Sequence, residues 1–162
     1  MKIGVISDSH NNLSALEKAL VIFSEEKVDT ILHAGDIENP EHICIFDQFT
    51  LYLARGNCDD LQSLKKICKQ CSQPEASSFH ELELCGKKIF LFHGDDSLLY
   101  REALQKNVFD YIIKGHSHFA EDYLKGNTRV LNPGALYRSV NYTLGILDLQ
   151  NDIWKKIDIP KE

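Results

Sequence analysis

Five short apolar runs in this chain each end abruptly in a polar cluster, and that pattern constrains the fold more than any other feature. Met1-Lys-Ile-Gly-Val-Ile6 leads into Asp8-Ser-His10, and Val28 to His33 into Gly35-Asp36. Leu51 to Ala54 leads into Gly56-Asn57-Cys58-Asp59, and Ile89 to Phe92 into His93-Gly94. Tyr111-Ile-Ile113 leads into Gly115-His116-Ser117-His118. Short apolar runs rich in β-branched and aromatic residues are buried strands. When such strands alternate with helices, their carboxyl ends form the ligand crevice. Five loops that differ in sequence therefore share one address.

Helices are expected between the strands. Leu13, Leu16, Leu20 and Phe23 recur at helical spacing over 13–26, with Asn12 as N-cap. Pro40 suits the first turn of a helix running to about Phe49. Residues 61–71 and 98–107 are read as two more. Beyond Glu121 the pattern turns to hairpins, 123–125 with 128–131 around Gly126-Asn127, and 142–149 with 153–159. The expectation is one α/β domain over 1–162, a two-sheet sandwich flanked by helices.

Composition excludes several classes. A net charge of −6 argues against a general binder of nucleic acid or anionic membrane. No run approaches the roughly 20 apolar residues needed to span a bilayer. The five cysteines, 44, 58, 68, 71 and 85, form no framework, and Cys68-Lys-Gln-Cys71 is a lone C-x-x-C. The expectation is a reduced protein of the cytoplasm.

The strand-end clusters supply Asp8, His10, Asp36, Asn57, His93, His116 and His118. Imidazole, carboxylate and carboxamide groups in one crevice suit a transition metal. Seven ligands exceed one four-coordinate ion, and sharing a carboxylate gives a complement for two ions roughly 3.5–4 Å apart. His33, inside a strand, is read as a core hydrogen-bonding residue; His42 and His80 are read as surface.

The ordered series D-x-H, G-D, G-N, H, G-H-x-H resembles the calcineurin-like metallophosphoesterases over nearly the whole chain. The short length, Gly56-Asn-Cys-Asp59 and Asn132-Pro-Gly134 are similar to the small single-domain YfcE-type branch. The resemblance implies a four-layer α/β/β/α fold and a dinuclear phosphoesterase, most simply a phosphodiesterase. One ion would be held by Asp8, His10, Asp36 and His118, the other by Asp36, Asn57, His93 and His116. A metal-bridging hydroxide would attack phosphorus in line. Manganese suits the ligands, with nickel, iron, zinc or cobalt as alternatives. The substrate would be a small phosphate ester, with no membrane or nucleic-acid duplex as partner, and a homodimer is implied by family likeness alone.

One departure stands out. Relatives with G-N-H-D use that histidine, paired with the aspartate, as general acid, whereas here Cys58 precedes Asp59. The catalytic set implied is thus Asn57, Cys58 and Asp59, with a poor proton donor in the middle. Asn11 is a candidate contact for phosphate oxygens, with helix capping as its plain alternative. Asn132-Pro-Gly, followed by Ala135, reads as a turn supporting the site. The rival function is a non-catalytic interaction scaffold on the same fold, as in a retromer subunit. A nuclease of the DNA-end-resecting kind would need basic surface and capping domains that the chain does not show.

Overall fold

The computed structural model describes residues 1–161. Two five-stranded sheets pack face to face. Strands β1 (Lys2–Ile6), β2 (Thr30–His33), β3 (Thr50–Leu53), β9 (Tyr142–Asp148) and β10 (Ile153–Ile159) build the first, in the order β10-β9-β1-β2-β3. The second holds β4 (Phe79–Leu84), β5 (Lys87–Phe92), β6 (Tyr111–Ile113), β7 (Ala120–Lys125) and β8 (Thr128–Pro133), in the order β4-β5-β6-β8-β7. Helices α1 (Leu13–Glu25) and α2 (Leu61–Gln70) and a 3-10 helix (Pro40–Phe46) cover the first sheet; α3 (Ser97–Lys106) covers the second. The expected helix-flanked two-sheet sandwich is the observed one.

The period of two along each strand explains why there are four layers. On β5, Ile89 and Leu91 point between the sheets, where they meet Ile3, Val5, Leu32 and Leu147. Phe90 and Phe92 point the other way, into a cluster with Ala103 of α3, Phe109, Ile112 and Val130. The first sheet divides likewise, with Ile6 and Ile31 facing Leu16 and Phe23 of α1. Strands buried on both faces must be apolar throughout, which is why the runs do not alternate. Gly4 is the needed gap: a Cβ there would lie 2.7 Å from the Phe23 ring.

β1, β2 and β3 run parallel, as do β5, β6 and β8. Their carboxyl ends therefore share one edge of the sandwich. Among the described residues, no helix is long and apolar enough to cross a membrane.

Four local expectations are corrected. The helix begun by Pro40 is 3-10 and stops at Phe46, because its two apolar anchors, Ile43 and Phe46, are three apart and stack on one face. His42 on this helix is buried, 8% exposed, rather than on the surface, and its Nε2 lies 3.3 Å from Asn39 Nδ2. His80 is half-buried and gives its Nε2–H to the Leu53 carbonyl at 2.9 Å. Cys44 and Cys71 are joined in a disulfide, with Cα atoms 5.2 Å apart, so the all-reduced reading fails. The packing of the 3-10 helix against the end of α2 brings these two together, and no spacing rule could have shown it. Cys58, Cys68 and Cys85 are free. His33 is fully buried and bonded to Ser9 Oγ (3.1 Å) and the Gly35 N–H (3.1 Å), a core role as expected.

Candidate metal centre

The cleft at the strand ends, about 360 Å³, is lined by His10, Asp36, Asn57, Cys58, His116 and His118, with Glu38, Tyr137 and Arg138 at its rim. Asp8 and His93 lie beneath, buried. All seven strand-end candidates thus come together.

Asp8 is the deepest. Its Oδ2 accepts the Ser7 hydroxyl (2.5 Å) and the His116 N–H (2.9 Å), which lock the carboxylate in place. Its Oδ1 is buried and accepts no hydrogen bond. Instead it faces His118 Nε2 at 3.3 Å and His10 Nε2 at 3.9 Å. A buried carboxylate oxygen without a donor costs several kcal/mol on the order of a lost charge-assisted bond, unless a cation sits before it.

The other half of the cleft repeats the argument. His93 Nδ1 is 2.7 Å from the Ala34 carbonyl, an obligate acceptor, so that nitrogen carries the proton. Nε2 then aims at Asn57 Oδ1 (3.1 Å), His116 Nδ1 (3.2 Å) and Asp36 Oδ2 (3.4 Å). Oxygen and nitrogen lone pairs converge there with few protons to share. Asp36 Oδ2 also lies 3.5 Å from His10 Nε2, so one oxygen stands between the two halves. Its Oδ1 is held by the Cys58 N–H at 2.8 Å. His10 Nδ1 lies 3.4 Å from Glu38, which places its proton there and turns Nε2 inward.

The electrostatics agree. Burial alone would raise the Asp36 carboxyl, but the neighbouring His93 ring and the hydrogen bond from the Cys58 amide hold it below the usual range. Burial would lower His93, yet the adjacent Asp36 charge raises it, so this spot favours positive charge. Burial and the Asp36 charge push the Cys58 thiol up to about 11. Burial also raises Asp59 despite its backbone hydrogen bonds.

Backbone strain gathers at the same residues. Asp8, His10, Asp36, His116 and His118 all have positive φ, between 40° and 67°. A left-handed non-glycine residue costs about 1 kcal/mol or more, so five at one cleft indicate a site over-determined by its surroundings. Two glycines permit close approach. A Cβ at Gly115 would lie 1.8 Å from Ser7 Oγ, and one at Gly56 would lie 2.0 Å from Asp36 Oδ1.

Asp59 does not face the cleft chemically: Oδ2 accepts the Asp36 and Gly56 N–H groups and Oδ1 accepts that of Glu38, each at 2.8 Å. It ties the Asp36 and Asn57 loops together. Asn132 does similar work on the other side, donating to the Gly115 carbonyl (3.0 Å) and Ser117 Oγ (3.1 Å). Asn12 caps α1, its Oδ1 accepting the Ala15 N–H. Asn11 is exposed, and its Oδ1 accepts from Asn39 Nδ2 at 3.1 Å. Sequence reasoning missed Ser7, Glu38, Tyr137 and Arg138. Tyr137 lies 5.2 Å from the His10 ring and beneath the Arg138 guanidinium. They carry no motif, and only the loop after β8 brings the last two here.

The model of the calcineurin-like phosphoesterase superfamily domain matches residues 1–152. The chain belongs to that superfamily. Phosphodiesterase MJ0936 of Methanocaldococcus jannaschii is 30% identical over 163 residues, spanning 97% of this chain and 98% of that protein. A solved structure of a novel archaeal phosphodiesterase superposes with a TM-score of 0.91 at 30% identity, covering 98% of this chain and all of that one. YfcE, a phosphoesterase from E. coli, shares the fold at a TM-score of 0.71 and 19% identity, over 99% of this chain and 100% of its own.

Proposed function

We propose that this protein is a metal-dependent phosphoesterase that hydrolyses a small phosphodiester using two divalent ions. The observation that carries the reading is the buried, unpartnered Asp8 Oδ1 facing two imidazole nitrogens. Asp8, His10, Asp36 and His118 would hold one ion, and Asp36, Asn57, His93 and His116 the other, Asp36 belonging to both sets. The ions would supply charge neutralisation for phosphoryl oxygens and a water made acidic enough to attack at neutral pH. Mixed imidazole and carboxylate donors favour a divalent transition ion, manganese first among them.

The chain's own groups do the rest. Asn57 turns its Oδ1 toward His93 Nε2 and its Nδ2 toward Cys58 Sγ, so its orientation is set by an imidazole on one side and sulfur on the other. Asp59 acts through the backbone, holding Gly56 and Asp36 at a fixed separation. Cys58 is a weak acid where a proton donor would help the leaving group, a contribution worth roughly 10²–10⁴-fold elsewhere. Substrates with good leaving groups should therefore be preferred. Arg138 at the rim, stacked on Tyr137, would offer a cation to the substrate anion. Asn11 does not line the cleft; exposed beside Asn39 and next to His10 in the chain, it would offer its amide nitrogen to a phosphate oxygen.

The test is turnover of a chromogenic phosphodiester and its monoester by metal-stripped protein, with and without manganese. Metal-dependent hydrolysis that favours the diester is expected. Asp36→Asn should weaken both ions together and lower kcat/KM by at least about 100-fold. Bound metal without turnover of either ester would refute the enzyme reading and favour a scaffold. Wild-type activity in Asp36→Asn would refute the two-ion arrangement.

A further inference from the structure

Cys58 stands where an acid is expected, yet its surroundings are those of a ligand. Its Sγ, a His10 nitrogen and an Asp36 oxygen lie within 4.8 Å of one another, close enough to share one ion. The position is not loose. The Cys58 N–H is bound to Asp36 Oδ1 at 2.8 Å, and Asp59 clamps the amides of Gly56 and Asp36 at 2.8 Å. The sulfur therefore moves with the carboxylate it neighbours. Asn57 Nδ2 donates to Sγ at 3.4 Å, so the sulfur already acts as an acceptor. A second observation marks the ion that Cys58 would join: the buried Asp8 Oδ1, without a hydrogen-bond partner, lies 3.9 Å from His10 Nε2 and 3.3 Å from His118 Nε2.

We propose that Cys58 is a metal ligand, adding a thiolate to the ion held between His10 and Asp36. The inference rests on the metal-dependent reading above and deepens it. On binding, the S–H bond breaks, a sulfur–metal bond forms and the proton leaves to solvent. Sulfur is a soft donor, so this half of the centre turns toward zinc or cobalt. The half built from Asn57, His93 and His116 offers only nitrogen and oxygen and suits a harder ion such as manganese. The residue that would have been the acid is thereby converted into a determinant of metal selectivity.

Cobalt(II) tests this without reference to activity. Metal-stripped protein, its disulfide intact, is titrated with cobalt beside Cys58→Ser and Cys85→Ser. The wild type and Cys85→Ser should show a near-ultraviolet sulfur-to-cobalt charge-transfer band together with visible ligand-field bands. Cys58→Ser should keep the visible bands, lose the charge-transfer band and bind zinc at least about 10-fold more weakly. Ligand-field bands without charge transfer in the wild type, or a charge-transfer band that survives in Cys58→Ser, would overturn the proposal. So would the absence of any cobalt spectrum, which would also remove the metal reading beneath it. Lack of phosphodiester turnover by a protein with the expected spectra would refute the catalytic reading alone. As a second readout, zinc should slow iodoacetamide alkylation of Cys58 by about 10-fold or more, measured by peptide mass spectrometry, and leave Cys85 unaffected. Equal rates at Cys58 with and without zinc would also overturn the proposal.

Discussion

Gly56→Ala adds one methyl group to a residue that ligates nothing, and it should disable the site. Gly56 does not have a left-handed φ, so alanine suits its backbone. The difficulty is steric: the new Cβ would lie 2.0 Å from Asp36 Oδ1 and 2.4 Å from the Asp36 nitrogen. Ordinary carbon contacts begin near 3.4 Å, so the loop or the carboxylate must yield by more than about 1 Å. Either movement breaks the register between Asn57 and Asp36 Oδ2, the oxygen common to both halves. A displacement of about 1 Å at a reacting centre costs on the order of 10²-fold in rate. Stability should fall by only about 1–3 kcal/mol, the usual cost of overpacking. For a chain of this size that is roughly 2–4 °C in Tm per kcal/mol. The assay is kcat/KM on a chromogenic diester at saturating metal, beside a thermal melt. Gly126→Ala is the control: its φ is +62° and nothing lies within 4 Å, so it should lower Tm by a few degrees and leave kcat/KM unchanged. A kcat/KM within about threefold of wild type for Gly56→Ala, with metal bound, would refute the claim that this contact sets the geometry of the centre.

Asn132→Ala removes the support of the Gly115 carbonyl and Ser117, and metal affinity measured calorimetrically should fall about 10–100-fold although no ligand is touched. His33, with its pKa pushed down to about 3 by burial and the neighbouring His93, titrates near 6.5 when unfolded. Its contribution is complete above about pH 6.5 and is lost as pH falls toward 3, at about 1.4 kcal/mol per unit. Denaturant midpoints between pH 7 and 5 should accordingly fall less steeply in His33→Gln, and equal slopes would count against the assignment. The Cys44–Cys71 bond closes a loop of 27 residues, so reduction should cost up to about 3.5 kcal/mol, checked by thermal melts with and without reductant.

Much of the candidate site was legible in the sequence because its candidate ligands are strand-end residues. A buried parallel strand is an uninterrupted apolar run, and the first polar residues after it sit at its carboxyl end whatever the rest of the chain does. Asp8, His10, Asp36, Asn57, His93, His116 and His118 could therefore be gathered by position along the chain, before their contacts were visible. What stayed hidden depends on contacts between segments distant in sequence. His42 looked superficial because the inward face of a short 3-10 helix has too little length to show a period. Cys44 and Cys71 looked unrelated because their approach depends on how the 3-10 helix meets α2.

The sequence by itself determined the layers, the edge at which the site forms and the kinds of atom brought there, since periodicity and strand termini are local properties of the chain. The tertiary structure decided what each atom is free to do. It occupies Asp8 Oδ2 with Ser7 and His116 and leaves Oδ1 bare, and it spends both oxygens of Asp59 on backbone amides. It also sets Cys58 beside His10 and Asp36. A side chain's chemistry depends on which of its donors and acceptors are already taken, and only the folded chain assigns them.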